Sequence, residues 1–194
     1  MFIKDWKKEV FTIPNILSMF RLALIPVYIS IYLNAITTAD YRLAAVILAI
    51  SCLTDAIDGF IARKFNMISN LGKFLDPLAD KFTQLAVTIC LSVRYAVLRP
   101  VLVLFLIKEF FQLFASIFHF RRGKMLPGAL WAGKVCTTVL FVSLIVMVLF
   151  PHLPPEMIRT IAAIDFVFLA NAFICYFLAF FGKRKESHLQ DVEQ

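Results

Sequence analysis

The stretch SCLTDAIDGFIARKFNMISNLGKFLDPLADKF, Ser51 to Phe82, decides how the rest of the chain is read. Four aspartates (Asp55, Asp58, Asp76, Asp80) and four cations (Arg63, Lys64, Lys73, Lys81) interrupt two apolar runs, and these are eight of the chain's 33 charged residues. Asp55 and Asp58 are three apart; Asp76 and Asp80 are four apart. On helices each pair lies on one face. Asn70-Leu71-Gly72 supplies turn chemistry between them. Two antiparallel neighbouring helices would therefore bring four carboxylates into one pocket. Bare carboxylates at such range repel and shift toward protonation. A bound cation relieves this. All-oxygen ligands favour Mg²⁺ or Mn²⁺, and four carboxylates are enough for two divalent ions about 4 Å apart. Gly59 and Ala62 leave room beside the acids for a ligand or a neighbouring helix, and Arg63 offers a planar fork for phosphate.

The surroundings of this stretch are apolar. Of 194 residues, 61% are hydrophobic and 17% charged, with a mean hydropathy of +0.82. Soluble domains carry about 25% charge, so a water-soluble or disordered chain is excluded and an all-α, polytopic membrane protein is expected. Six spans are expected, at about Asn15–Asn34, Tyr41–Ile61, Pro77–Val93, Val97–Phe120, Ala129–Phe150 and Glu156–Phe181. These make one six-helix transmembrane domain over 12–182. Residues 1–11, with Phe2, Ile3, Trp6, Val10 and Phe11 among charges, read as an interfacial juxtamembrane helix. No small-residue cleavage site follows, so a signal peptide is not expected. Residues 183–194 read as a mobile polar cytoplasmic tail.

The Lys and Arg of the connections fix the orientation. Twelve lie on one side (Lys4, Lys7, Lys8, Arg63, Lys64, Lys73, Arg121, Arg122, Lys124, Lys183, Arg184, Lys185) and four on the other (Arg42, Arg94, Arg99, Arg159). The positive-inside bias puts both termini in the cytoplasm and the acids at the cytoplasmic face of the cell's inner or plasma membrane. The net charge of +7 also suits anionic membrane lipids; no basic stripe interleaved with aromatics points to nucleic acid. Cys52, Cys90, Cys136 and Cys175 lack paired spacing and read as small hydrophobes. A cation transporter or channel is the competing class for buried acids in helical spans. The outer halves of the spans look apolar, and a conduction route needs polar groups through the full depth.

The acidic stretch reads D-x2-D-G-x2-A-R-x8-G-x3-D-x3-D: Asp55, Asp58, Gly59, Ala62, Arg63, Gly72, Asp76 and Asp80, eight fixed residues in 26 positions. It resembles the signature of the CDP-alcohol phosphotransferase family at every position. Thr12–Arg21 (TIPNILSMFR) and Gly72–Lys81 (GKFLDPLADK) look most like its phosphatidylglycerophosphate synthases and cardiolipin synthases. The resemblance implies transfer of a phosphatidyl group from CDP-diacylglycerol to an alcohol, with CMP leaving, and a homodimer. It implies that Asp55, Asp58 and Asp76 hold divalent metals with Asp80 beside them as metal neighbour and general base. It places Asp58, Gly59, Ala62, Arg63 and Gly72 around the cytidine diphosphate.

Glycerol 3-phosphate is the first expectation for the acceptor, and phosphatidylglycerol, the cardiolipin synthase acceptor, the second. A phosphate-bearing acceptor needs fixed cations. Lys81, Lys108, Arg121 and Lys134 are the candidates, with Arg122 and Lys124 beside them. Lys108-Glu109-Phe110 stands where phosphatidylglycerophosphate synthases commonly show Arg-Glu-Phe, and Cys136 replaces the second Lys of their Gly-Lys-x-Lys-Thr. Arg21 either faces the polar pocket or pairs with a carboxylate. Asp165 reads as a bundle-facing hydrogen-bond partner rather than a catalyst.

Overall fold

A computed structural model describes residues 12–64, 72–121 and 131–192, and within them not the side chains of Ile13, Ala56, 59–63, Lys73, Phe74, Ser116, 119–121, 131–132 and 181–192. The described residues form six α-helices and no strand: α1 (Ile13–Leu33), α2 (Thr38–Lys64), α3 (Gly72–Arg94), α4 (Arg99–Arg121), α5 (Trp131–Leu149) and α6 (Pro155–Val192). A 3₁₀ turn, Ala96–Leu98, joins α3 to α4. Two apolar helical stretches, Pro14–Leu33 and Pro155–Phe180, are long enough to cross a membrane; Gly133–Leu149 is a shorter one. The expected interfacial helix at 1–11 lies outside the described residues.

Helix boundaries follow local chemistry. Thr12 is extended at the head of α1, with Pro14 in the first turn, where a missing N–H costs nothing. Asn34 closes α1: its backbone N–H and its side-chain amide both donate to the Ser30 carbonyl, at 3.3 and 2.8 Å. Thr37 and Asp40 open α2 with a reciprocal cap. The Asp40 carboxylate accepts from the Thr37 and Ile36 N–H groups at 2.7 and 3.0 Å, and the Asp40 N–H donates to Thr37 Oγ1 at 3.3 Å.

Two helices run past the expected spans. α3 starts at Gly72, before Pro77, which sits inside it, and carries both Asp76 and Asp80 as expected. α6 continues beyond Phe181 to Val192. In both places the apolar signal stops where the backbone hydrogen bonds do not.

The chain divides into two compact units. The first contains α1, α2, α3 and residues 145–152. There α1 packs on α2 and α3. Small side chains at the contacts, Ala44, Ala45, Ala79 and Ala86, are fully or almost fully buried and let the backbones approach. The end away from the acids is tied by polar and aromatic contacts. Tyr28 stacks on Tyr32, which meets Tyr41 edge to face, the Arg94 guanidinium lies 3.9 Å over the Tyr41 ring, and Arg94 donates to the Pro151 carbonyl at 2.9 Å.

The second unit contains the 3₁₀ turn, α4, most of α5 and α6. Phe111 of α4 meets Phe173, Phe177 and Phe180 of α6 with ring centroids 5.4–5.8 Å apart, in geometries favourable to aromatic pairs. Large apolar side chains such as Leu53, Val93, Phe110, Phe114, Val167 and Leu178 are exposed. So much exposed apolar surface suits lipid better than water.

Candidate active site

One buried polar stripe on α1 organises the acids. Asn15, Ser18 and Arg21 succeed one another by three residues on an otherwise apolar helix, and none is more than 2% exposed. This face packs against the C-terminal half of α2 and the N-terminal half of α3, where the four aspartates stand.

The Arg21 guanidinium reaches both. Its Nη1 pairs with Asp55 Oδ1 at 2.6 Å and with Asp80 Oδ1, while Nη2 donates to Asp58 Oδ2 at 2.5 Å. Ser18 Oγ lies against Asp76 Oδ1 and 3.0 Å from the Pro14 carbonyl; its single proton can serve either. All four signature aspartates thus meet α1 in one neighbourhood. They differ in access: the Asp58 side chain is 4% exposed, those of Asp55 and Asp80 are 47% and 52% exposed. Asp58 is enclosed, while Asp80 can meet a molecule arriving from outside.

The donors here are carboxylate oxygens, which suit hard divalent cations. Arg21 pairs with three of these carboxylates, Asp55, Asp58 and Asp80. In chemistry, the residues fit Mg²⁺ or Mn²⁺. As they stand, no group of three or more His, Cys, Asp or Glu among the described residues is arranged to ligate one ion. The reason is visible in the distances: Asp55, Asp58 and Asp80 direct oxygens at Arg21.

Gly72 begins α3 and is buried. Gly59, Ala62 and Arg63 lie on the last turns of α2, with side chains outside the described set. Lys81 and Lys134 are exposed, on α3 and α5. Lys108 is 4% exposed, and its Nζ lies 2.5 Å from Glu109 Oε1 in the second unit. Arg121 ends α4 with its side chain undescribed, and Arg122 and Lys124 lie outside the described residues. Asp165 is fully buried and accepts the Ser143 hydroxyl, at 2.6 and 2.8 Å from its two oxygens, the hydrogen-bonding role expected of it. All four cysteines are free thiols.

Ser18 is the residue that sequence reasoning missed, and Arg21 is resolved in favour of carboxylate pairing. The signal for both was present: polar side chains at 15, 18 and 21 repeat at helical spacing in an apolar span.

An all-helical chain with apolar outer surfaces and four aspartates gathered from two helices is a membrane-type protein with an acidic site built for cationic or phosphate chemistry. The chain belongs to the CDP-alcohol phosphatidyltransferase family, whose model matches residues 11–179. It is 38% identical over 122 residues to a CMP-forming cardiolipin synthase/mitochondrial hydrolase fusion protein of Schizosaccharomyces pombe, a stretch covering 63% of this chain and 20% of that protein. It is 41% identical over 71 residues to the CDP-diacylglycerol–glycerol-3-phosphate 3-phosphatidyltransferase of Escherichia coli K12, covering 37% of this chain and 38% of the relative. The same figures hold for the enzyme of that name from Shigella flexneri. The matched stretches thus span well under two thirds of these relatives' lengths.

Proposed function

We propose that this protein transfers the phosphatidyl group of CDP-diacylglycerol to an alcohol acceptor and releases CMP. Glycerol 3-phosphate is the acceptor in the first reading. What supports the reaction is the convergence of Asp55, Asp58 and Asp80 on one point from two helices, with Asp76 one turn before Asp80. The family and the names of the relatives agree with it.

Asp55, Asp58, Asp76 and Asp80 would hold two divalent cations, whose chemistry is to neutralise the pyrophosphate and polarise the phosphorus under attack. Asp80 is the base. Half exposed, its carboxylate accepts the proton of the acceptor hydroxyl as that oxygen bonds to the phosphatidyl phosphorus. The bond from phosphorus to the CMP oxygen breaks, and CMP leaves with the electron pair. Gly59, Ala62, Arg63 and Gly72 line the cytidine diphosphate in this reading. An apolar cleft of about 350 Å³ is lined by Ala45, Ala49 and Cys52 of α2 and by Ile145 and Val148. Cys52 lies one turn before Asp55, so an acyl chain of the lipid donor fits there.

The setting is a cell membrane crossed six times, both termini and the acids at the cytoplasmic face, with homodimers and anionic lipid around them. Lys81, Arg121 and Lys134 are the candidate cations for an acceptor phosphate; Lys108 is buried and paired with Glu109. Phosphatidylglycerol is the second reading for the acceptor. Two observations favour it: Lys108 is taken up by Glu109, and the match to the cardiolipin synthase fusion protein, over 122 residues, is longer than the 71-residue matches to the glycerol-3-phosphate enzymes. Purified protein given CDP-diacylglycerol and Mn²⁺ decides the matter. CMP release with glycerol 3-phosphate alone selects the first acceptor, release with phosphatidylglycerol alone the second, and release with neither rejects the transferase. Cation flux into vesicles without CMP release would instead favour the transporter class.

A further inference from the structure

We propose that Arg21 is an internal counter-ion that competes with the divalent cations for Asp55, Asp58 and Asp80, and so sets the cation concentration at which the site loads. This rests on the metal-dependent reading of the same aspartates. The geometry makes the competition direct. Arg21 Nη1 is shared between Asp55 Oδ1 and Asp80 Oδ1, and Nη2 holds Asp58 Oδ2. These oxygens are the ones a hard cation would take as ligands. An oxygen 2.5–2.6 Å from a guanidinium nitrogen cannot also ligate a divalent ion without setting two positive charges within a few ångströms of each other.

Arg21 cannot escape by losing its proton, because a guanidinium stays charged in proteins. It is 2% exposed, so water does little to screen it. Among the described residues its Nε is buried without a hydrogen-bond partner, so the side chain is not held at every donor. The three acids release it unequally. Asp55 and Asp80 are half exposed and water can take over their oxygens; Asp58 is enclosed and keeps its bond. Loading therefore turns Asp55 and Asp80 off Nη1, while Asp58 keeps Oδ2 on Nη2 and offers only its other oxygen to the ion. Arg21 is thus a positioning residue: it keeps α1 on α2 and α3 when the acids lack other cations, and yields Asp55 and Asp80 when the ions load.

The test is Mn²⁺ binding to the full chain in zwitterionic nanodiscs, read from the free-ion electron paramagnetic resonance signal, with thermal unfolding alongside. Arg21→Met should bind Mn²⁺ about tenfold more tightly than wild type or better. It should unfold at lower temperature without Mn²⁺ and gain more from Mn²⁺ than wild type does. Arg21→Lys keeps the charge but not the fork, so it should fold and bind Mn²⁺ with intermediate affinity. Equal or weaker Mn²⁺ binding in the folded Arg21 variants overturns the competition. If wild type binds Mn²⁺ and Asp58→Asn weakens that binding, such a result leaves the metal reading standing. A wild type that binds no Mn²⁺, with or without CDP-diacylglycerol, removes both.

Discussion

At the scale of single residues, the site depends on one arginine reaching three acids. Asp58 has almost no solvent to fall back on, so removing its partner leaves a buried charge uncompensated. Arg21→Ala should cost about 3 kcal/mol in unfolding free energy, the lower end for a broken buried pair, because Asp55 and Asp80 are half exposed. Chemical unfolding in detergent at low divalent concentration measures it. Asp58→Asn keeps the shape and removes a charge; transfer should fall by about a hundredfold or more while the protein stays folded. Gly133 makes a different demand. A Cβ there would stand 2.3 Å from Tyr176 Oη, so Gly133→Ala must push the ring away. A loss of about 1–3 kcal/mol is expected, and Gly133→Ala with Tyr176→Phe should recover part of it. No recovery in that double variant would show that the crowding is elsewhere.

At the scale of elements, the Thr37–Asp40 cap decides where α2 begins. Backbone N–H groups of Thr37 and then Ile36, followed by the Thr37 hydroxyl, hold the Asp40 carboxyl below its ordinary value of 3.8. A depressed folded-state pKa contributes stability above the unfolded value. That contribution is lost as pH falls through the folded-state value. The melting temperature of wild type should therefore drop below about pH 4 by more than that of Asp40→Asn, whose amide does not titrate. Thr37→Ala should cost about 1 kcal/mol above about pH 4 and less below it, where the Asp40 carboxylate is protonated. The six helical runs were legible because each is a long apolar segment bounded by Gly, Pro, Asn or charge. Their ends were not: at Gly72–Asp76 and beyond Phe181 the helix continues through polar residues, where hydropathy carries no signal but backbone bonding goes on. Asp55 with Asp58 and Asp76 with Asp80 were legible as pairs because a helix maps their spacing onto one face. The role of Arg21 was not. Its partners are 34, 37 and 59 residues away, and spacing does not tell which helix closes the pocket.

At the scale of the whole molecule, composition and structure meet in the outer surface. Exposed Phe and Leu side chains on the described helices go with a charge content of only 17%: both suit a surface that meets lipid. Single cysteines at Lys185 and at Ala35, in a cysteine-free background, should react with a membrane-impermeant thiol reagent from opposite sides in oriented vesicles. Equal labelling from one side would reject an odd number of crossings between them and the proposed topology with it. The central claim is that the four aspartates carry phosphatidyl transfer, and CMP release tests it most directly. Wild type and Asp80→Asn, each reconstituted in nanodiscs with CDP-diacylglycerol, Mn²⁺ and either glycerol 3-phosphate or phosphatidylglycerol, are compared by CMP formed. Acceptor-dependent CMP from wild type, and its loss from a folded, Mn²⁺-binding Asp80→Asn, is the expected result. CMP release that is unchanged in Asp80→Asn, or absent from wild type with both acceptors, would contradict it.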